Sequence, residues 1–135
     1  MPLIQWNNEL SVGINSIDEQ HKILVNMINA LNEAMISGQT KKILAEILDG
    51  LSAYTVNHFG YEEDLFAQYG YSQSQAHINE HHSLMEQVKN LQSKMDNGDF
   101  MISVEVMVFL KGWLINHILK TDKAYAEFLK DKGVS

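Results

Sequence analysis

The chain has no cysteine. That excludes disulfides, thiolate zinc sites, iron–sulfur clusters and a cysteine nucleophile, and it fits a reducing compartment. Proline occurs once, at Pro2, so no proline interrupts a helix further along. Basic residues are few: 10 Lys and Arg face 17 Asp and Glu, a net charge of −7. A nucleic acid or an anionic membrane surface needs a positive footprint, and neither is expected as a partner. The opening "MPLIQWNNEL" lacks the basic and apolar regions of a secretory signal. The most apolar run, "MISVEVMVFLKGWLINHIL", is broken by Glu105, Lys111 and His117, which makes it a poor membrane span and a good buried helix. No segment sustains the period-2 alternation of a strand, and no repeat or low-complexity tract is present. The expectation is a single cytoplasmic, all-α domain over residues 1–135.

What the chain does have is helical periodicity. Hydrophobic residues make up 45 % of 135 positions, enough to bury a core. Gly38, Gly70, Gly98 and Gly133 each follow a helix-like stretch, as C-terminal stop signals do. Between them the spacing predicts four helices, over Ile17–Ser37, Lys41–Tyr69, Ser74–Asn97 and Ser103–Asp131. Ser16 to Glu19 reads as a capping box at the first. Short connections make these an antiparallel up-down-up-down four-helix bundle, with the first 16 residues, Trp6 included, as an irregular arm against it. Leu31, Met35, Ile43, Ile47, Leu91 and Met95 would build one aliphatic half. The methionines read as adaptable filler of that core. Gly60, inside the second helix, marks either a weak point or a close contact.

The other half is different. His21, His58, Glu62, His77, His81, His117 and Asp122 all fall toward the same end of such a bundle. His58 and Glu62 are four apart, as are His77 and His81, so each pair stands on one helix face. A single inward histidine is ordinarily a satisfied core residue. Five converging at one level, at positions where the rest of the stripe is apolar, suit a metal. His82 points about 100° from His81 and reads as exposed, and Glu63, Asp64 and Glu80 read as solvated bystanders. Asp122 lies about 140° round an ideal helix from His117, so both reach one centre only if the backbone widens between them. That predicts a π-bulge there.

Five imidazoles and two carboxylates are too many for one ion. Two octahedral ions sharing both carboxylates and one oxygen bridge offer twelve positions. The bridges fill six and the imidazoles five, which leaves one open. Imidazole suits iron, copper, nickel or zinc better than calcium or magnesium. Oxygen-activating di-iron bundles use four carboxylates with Glu-x-x-His motifs, and none occurs here. Fewer anionic ligands stabilise high-valent iron less well, which favours reversible ligand binding over oxygenation. A hydrolase would need a free general base, and both inward carboxylates are committed to bridging.

"GINSIDEQHKILVNMINAL", "HFGYEEDLF", "GYSQSQAHINEHH" and "WLINHILKTDKAY" resemble the hemerythrin family, and within it the bacteriohemerythrins. The likeness runs from "IQW" to the end of the fourth helix, with His, His-x3-Glu, His-x3-His and His-x4-Asp in family order. One departure is Ser72, where the family often has proline; it loosens a turn and touches no ligand. The resemblance implies two iron ions (Fe2+/Fe3+) under an oxo or hydroxo bridge. His77, His81 and His117 would hold one iron, His21 and His58 the other, and Glu62 and Asp122 would bridge them. O2, or a small anion, would take the open position on the iron with two histidines. The function implied is reversible O2 binding in storage, delivery or sensing, with incidental redox activity. The alternative on the same scaffold is a di-iron enzyme such as a peroxidase or a nitric-oxide-handling protein. Leu24, Ile28, Phe59, Trp113, Leu114 and Ile118 are candidates for a dry pocket around O2. With no apolar surface stripe expected once the bundle closes, the chain reads as a monomer.

Overall fold

The computed structural model describes residues 2–96 and 103–135. Among these every regular element is helical. After a 3₁₀ turn at Asn8–Leu10 come α1 (Asn15–Ile36), α2 (Lys41–Tyr69), α3 (Ser74–Asp96) and α4 (Val104–Asn116). From α4 the chain runs on through a π-helical turn (His117–Asp122) into α5 (Lys123–Asp131), so the last three form one interrupted rod. Three helices and this rod make the four-helix bundle.

Local chemistry sets most of the ends. The Thr40 hydroxyl accepts from the Ile43 amide and the Ser103 hydroxyl from the Val106 amide, each capping a helix start. Gly70 closes α2 in the left-handed conformation at φ 71°, where a Cβ would be strained. Gly98 and the predicted third-helix end at Asn97 lie outside the described residues. The capping box does not form. α1 starts two residues early, at Asn15, and Ser16 lies inside it, accepting from the Tyr61 hydroxyl at 2.8 Å. Asp18 instead turns back over Gly13, taking the Val12 amide at 2.8 Å and the Ser11 hydroxyl at 2.5 Å. This carboxylate ties the arm to the helix. Further out, Asn29 receives the Ile4 amide and donates to its carbonyl, both at 2.8 Å. The Lys22 ammonium sits 5.6 Å from the centre of the Trp6 ring.

Away from the histidines the core is aliphatic, with one shift of register. Ile43 is exposed and Ile47 only partly buried, whereas Leu44 and Leu48 are buried. The inward stripe of α2 therefore begins one residue later than the sequence suggested. It then runs through Leu51, Thr55, His58, Glu62 and Phe66. A Cβ built on Gly60 meets nothing within 4 Å, so no close contact explains that glycine. Val104 and Val108, four apart on α4, are both exposed. The expectation that no apolar stripe would remain at the surface does not hold there. Among the described residues no helix is long and apolar enough to cross a membrane.

Candidate metal centre

Antiparallel packing brings all seven polar residues to one level. His21, His58, Glu62, His77, His81, His117 and Asp122 are each at most 4 % exposed. The π turn explains how His117 and Asp122 both arrive. One extra residue in the turn rotates Asp122 back toward the face that His117 occupies. His117 Nε2 and Asp122 Oδ1 lie 3.0 Å apart. The predicted helix irregularity is present, over the predicted residues.

The cluster has two lobes. His77, His81 and His117 with Glu62 and Asp122 offer five ligand atoms within 4.8 Å of one another. His21 and His58 with the same two carboxylates offer four. Ring positions repeat the division: His77 lies 4.6 Å from His81 and 4.9 Å from His117, while His21 lies 4.8 Å from His58. Asp122 touches both lobes, with Oδ2 at 3.1 Å from His21 Nε2 and Oδ1 at 3.0 Å from His77 Nε2. So does Glu62, whose Oε1 is 3.2 Å from His58 Nε2 and 3.4 Å from His81 Nε2.

Nine buried side-chain atoms here have no hydrogen-bond partner, and all belong to six of these seven residues. They include Nε2 of His21, His77, His81 and His117, Oε1 of Glu62 and both oxygens of Asp122. Buried polar atoms are ordinarily satisfied, because each one left alone costs about 1–3 kcal/mol. Concentrated donor atoms aimed at a common point are what a metal requires of its ligands. The donor set, imidazole nitrogen with carboxylate oxygen, fits two iron ions.

The charge balance without metal points the same way. Burial and the Asp122 charge both push the Glu62 carboxyl up, but the imidazoles of His58 and His81 reverse this and hold it at about 2. Burial likewise raises Asp122, and the close imidazoles of His117, His21 and His77 take it well below the carboxylate range. For His117 burial disfavours the cation, yet Asp122 with help from Glu62 and Glu80 lifts it to about 9. Two carboxylates stay charged in the interior, and they favour the protonated imidazoles of His21 and His117, where metal would otherwise sit.

An outer ring of polar groups orients the histidines, in a regular pattern. Gln20 of α1 reaches His58 of α2, with Oε1 at 2.6 Å from Nδ1. Glu63 of α2 reaches His81 of α3 at 2.9 Å, and Glu80 of α3 reaches His117 at 3.1 Å. Each acceptor fixes a proton on Nδ1 and leaves Nε2 as a lone pair facing the centre. Tyr125, fully buried, donates its hydroxyl to Glu62 Oε2, and burial with two nearby carboxylates keeps that phenol protonated. Glu63 and Glu80 are therefore not bystanders. The bystander reading failed because each leans across a seam to a histidine on the next helix, Glu80 while still half exposed. One signal was present: Gln20, Glu63, Glu80 and Thr121 each sit beside a cluster residue in sequence. Asp64 and His82 are exposed, as expected.

Beside the cluster, lined by His21 and His58 and also by His117 and Asp122, lies a cavity of about 30 Å³, room for roughly two water-sized atoms. Leu24, Ile28, Phe59, Trp113 and Leu114 of the expected pocket line it, together with Leu51, Leu84 and Val88. Ile118 does not; it is fully buried elsewhere in the core. Two of the lining rings also hold histidines in place: Phe59 stacks on His81 at 3.6 Å and Trp113 on His117 at 4.4 Å.

Residues 12–129 match the family described as the hemerythrin HHE cation-binding domain. A bacteriohemerythrin of Stenotrophomonas maltophilia is 35 % identical over 130 residues, 96 % of this chain and 84 % of that one. A bacteriohemerythrin of Methylococcus capsulatus is 34 % identical over 130 residues, 96 % of this chain and 98 % of that one. A crystal structure of wild-type hemerythrin superimposes with a TM-score of 0.89 at 32 % identity, covering 93 % of this chain and 96 % of that one. By sequence and by fold, the chain belongs to the hemerythrin family.

Proposed function

We propose that this protein binds O2 reversibly at a pair of iron ions, in oxygen storage, delivery or sensing. The observation that carries the reading is the division of five buried histidines into lobes of three and two that share Glu62 and Asp122. His77, His81 and His117 would hold one ion, His21 and His58 the other, with both carboxylates and an oxo or hydroxo bridge between them. Both histidines of the smaller lobe line the apolar cavity, against His117 alone of the larger. When bound, the iron pair supplies reversible two-electron exchange with O2.

The chain's own groups supply the rest. Gln20, Glu63 and Glu80 keep protons on Nδ1, so that Nε2 of His58, His81 and His117 is free to coordinate. Tyr125 occupies one oxygen of Glu62 and leaves the other toward the centre. Outside the cluster, the cavity walls are hydrocarbon and aromatic except for Ser52 and Thr55, and the Thr55 hydroxyl is turned to the Leu51 carbonyl at 2.7 Å. Walls with no acid beyond the ligand set would keep proton donors away from whatever occupies the cavity. That favours binding over turnover, and hence a carrier over a peroxidase.

The test is anaerobic reduction, exposure to O2 and then vacuum, with metal analysis on the same sample. Two irons per chain and a visible band that appears with O2 and fades under vacuum are expected. Stoichiometric zinc, or O2 consumption with no reversible band, would overturn the reading.

A further inference from the structure

The four seams of the bundle are not alike. Backbones approach closely between α1 and α2, between α2 and α3, and between α1 and α4. Among the described residues no comparable backbone approach joins α3 to the final rod, and side chains bridge that seam. Two surface clefts open along it. One lies between Leu91 and Phe109, away from the histidines. The other, about 310 Å³, is lined by Tyr71, Gln73, Lys120, Thr121 and Glu80, with His77 as its buried floor. His77 is also the histidine of the three-histidine lobe with no outer partner: its Nδ1 is buried and unpaired.

Glu80 crosses this seam at the site end. One oxygen accepts from His117 Nδ1 at 3.1 Å, and both accept from the Thr121 hydroxyl, at 2.9 and 3.0 Å. His117 and Thr121 are both on the π turn, so one carboxylate holds the turn at its first residue and near its last. Glu63 and Gln20 make no second tie of this kind. Glu80 is also the more open, with its side chain 48 % exposed against 28 % for Glu63. Water can compete for it, and when it lets go the π turn loses its hold on α3 directly over His77.

We propose that Glu80 is a positioning residue that latches the π turn to α3, and that opening this latch is how a metal ion enters and leaves the three-histidine lobe. The inference rests on the di-iron reading for its metal and on the metal-free chain for its mechanics. A separate polar entrance would let the apolar cavity on the far side of the cluster stay dry during loading.

The experiment uses the full chain with Glu80→Ala, Glu80→Gln and Thr121→Val, and His82→Ala as a control on the same helix. Iron release to a ferrous chelator should be roughly ten- to a hundredfold faster for Glu80→Ala and about threefold faster for Thr121→Val. Glu80→Gln, which keeps an acceptor oxygen, should recover most of the loss. In the metal-free proteins, amide hydrogen exchange over residues 117–122 should quicken by similar factors while residues 24–31 of α1 stay unchanged. Release and exchange both within twofold of the parent would overturn the latch, as would acceleration spread evenly over α1. If the parent takes up no iron, the proposed function fails, and the exchange measurement still decides the latch.

Discussion

At one end of the bundle Leu31, Leu44, Leu48 and Met95 close the core with hydrocarbon; at the other, five histidines and two carboxylates fill the same layer. Both ends are buried to the same degree, so burial alone does not tell them apart. The aliphatic end gains from leaving water, at about 25 cal/mol per Å² of apolar surface. The histidine end loses hydration from nine donor and acceptor atoms that find no partner in the protein. A natural sequence keeps such an arrangement only if something repays it, and here that is a ligand with the fold's own helices as its cage. Fold and site are thus written in one helical pattern, and the far end carries the stability that the near end gives up.

The largest expected effect breaks the near end alone. Asp122→Ala removes one of the two groups that touch both lobes, and metal analysis should find neither ion retained while the bundle remains helical by circular dichroism. Retention of two ions would show that Asp122 is a core residue only. The reverse break is Leu48→Ala, fully buried at the far end. It should cost about 3 kcal/mol in denaturant unfolding and leave the metal count unchanged.

Metal removal sharpens the contrast through pH. Glu62 is held at about 2 in the fold against 4.5 ordinarily, so its contribution is present above pH 4.5 and is lost as pH falls through 2. His117 is raised from 6.5 to about 9, so its contribution is present below pH 6.5 and is lost as pH rises through 9. The metal-free protein should therefore melt highest between pH 4.5 and 6.5, and its Tm should fall toward pH 9. The loaded protein, with metal in place of those protons, should not show the alkaline fall. A metal-free Tm that keeps rising to pH 9 contradicts the balance described. The smallest effect is Gly60→Ala: with open space around the added methyl, it should stabilise α2 by about 1 kcal/mol in the same denaturant assay. Any loss would mean that α2 needs the glycine beside His58.

Much of this was legible in the sequence because one periodicity serves both purposes. The i, i+4 pairs and the apolar stripes gave the helices. The mismatch between His117 and Asp122 on an ideal helix gave the π turn. What failed has a physical reason in each case. Ile43 and Leu44 are adjacent and equally apolar, so the stripe's register depends on the neighbouring helix. Ser16 to Glu19 satisfies a capping pattern, but Asp18 found the arm at Val12 instead. Glu63 and Glu80 read as surface charge because a single helix says which face a side chain leaves by, not what waits across the seam. Adjacency to a cluster residue was the one sign of these outer partners, and it does not say which histidine each one reaches.

The most direct test of the divided site is the iron count. Metal-free parent chain and a His21→Ala/His58→Ala double variant would be equilibrated anaerobically with excess ferrous iron, desalted and assayed for iron per chain. The account predicts two in the parent and one in the variant. One or fewer in the parent, or two retained without His21 and His58, would contradict it.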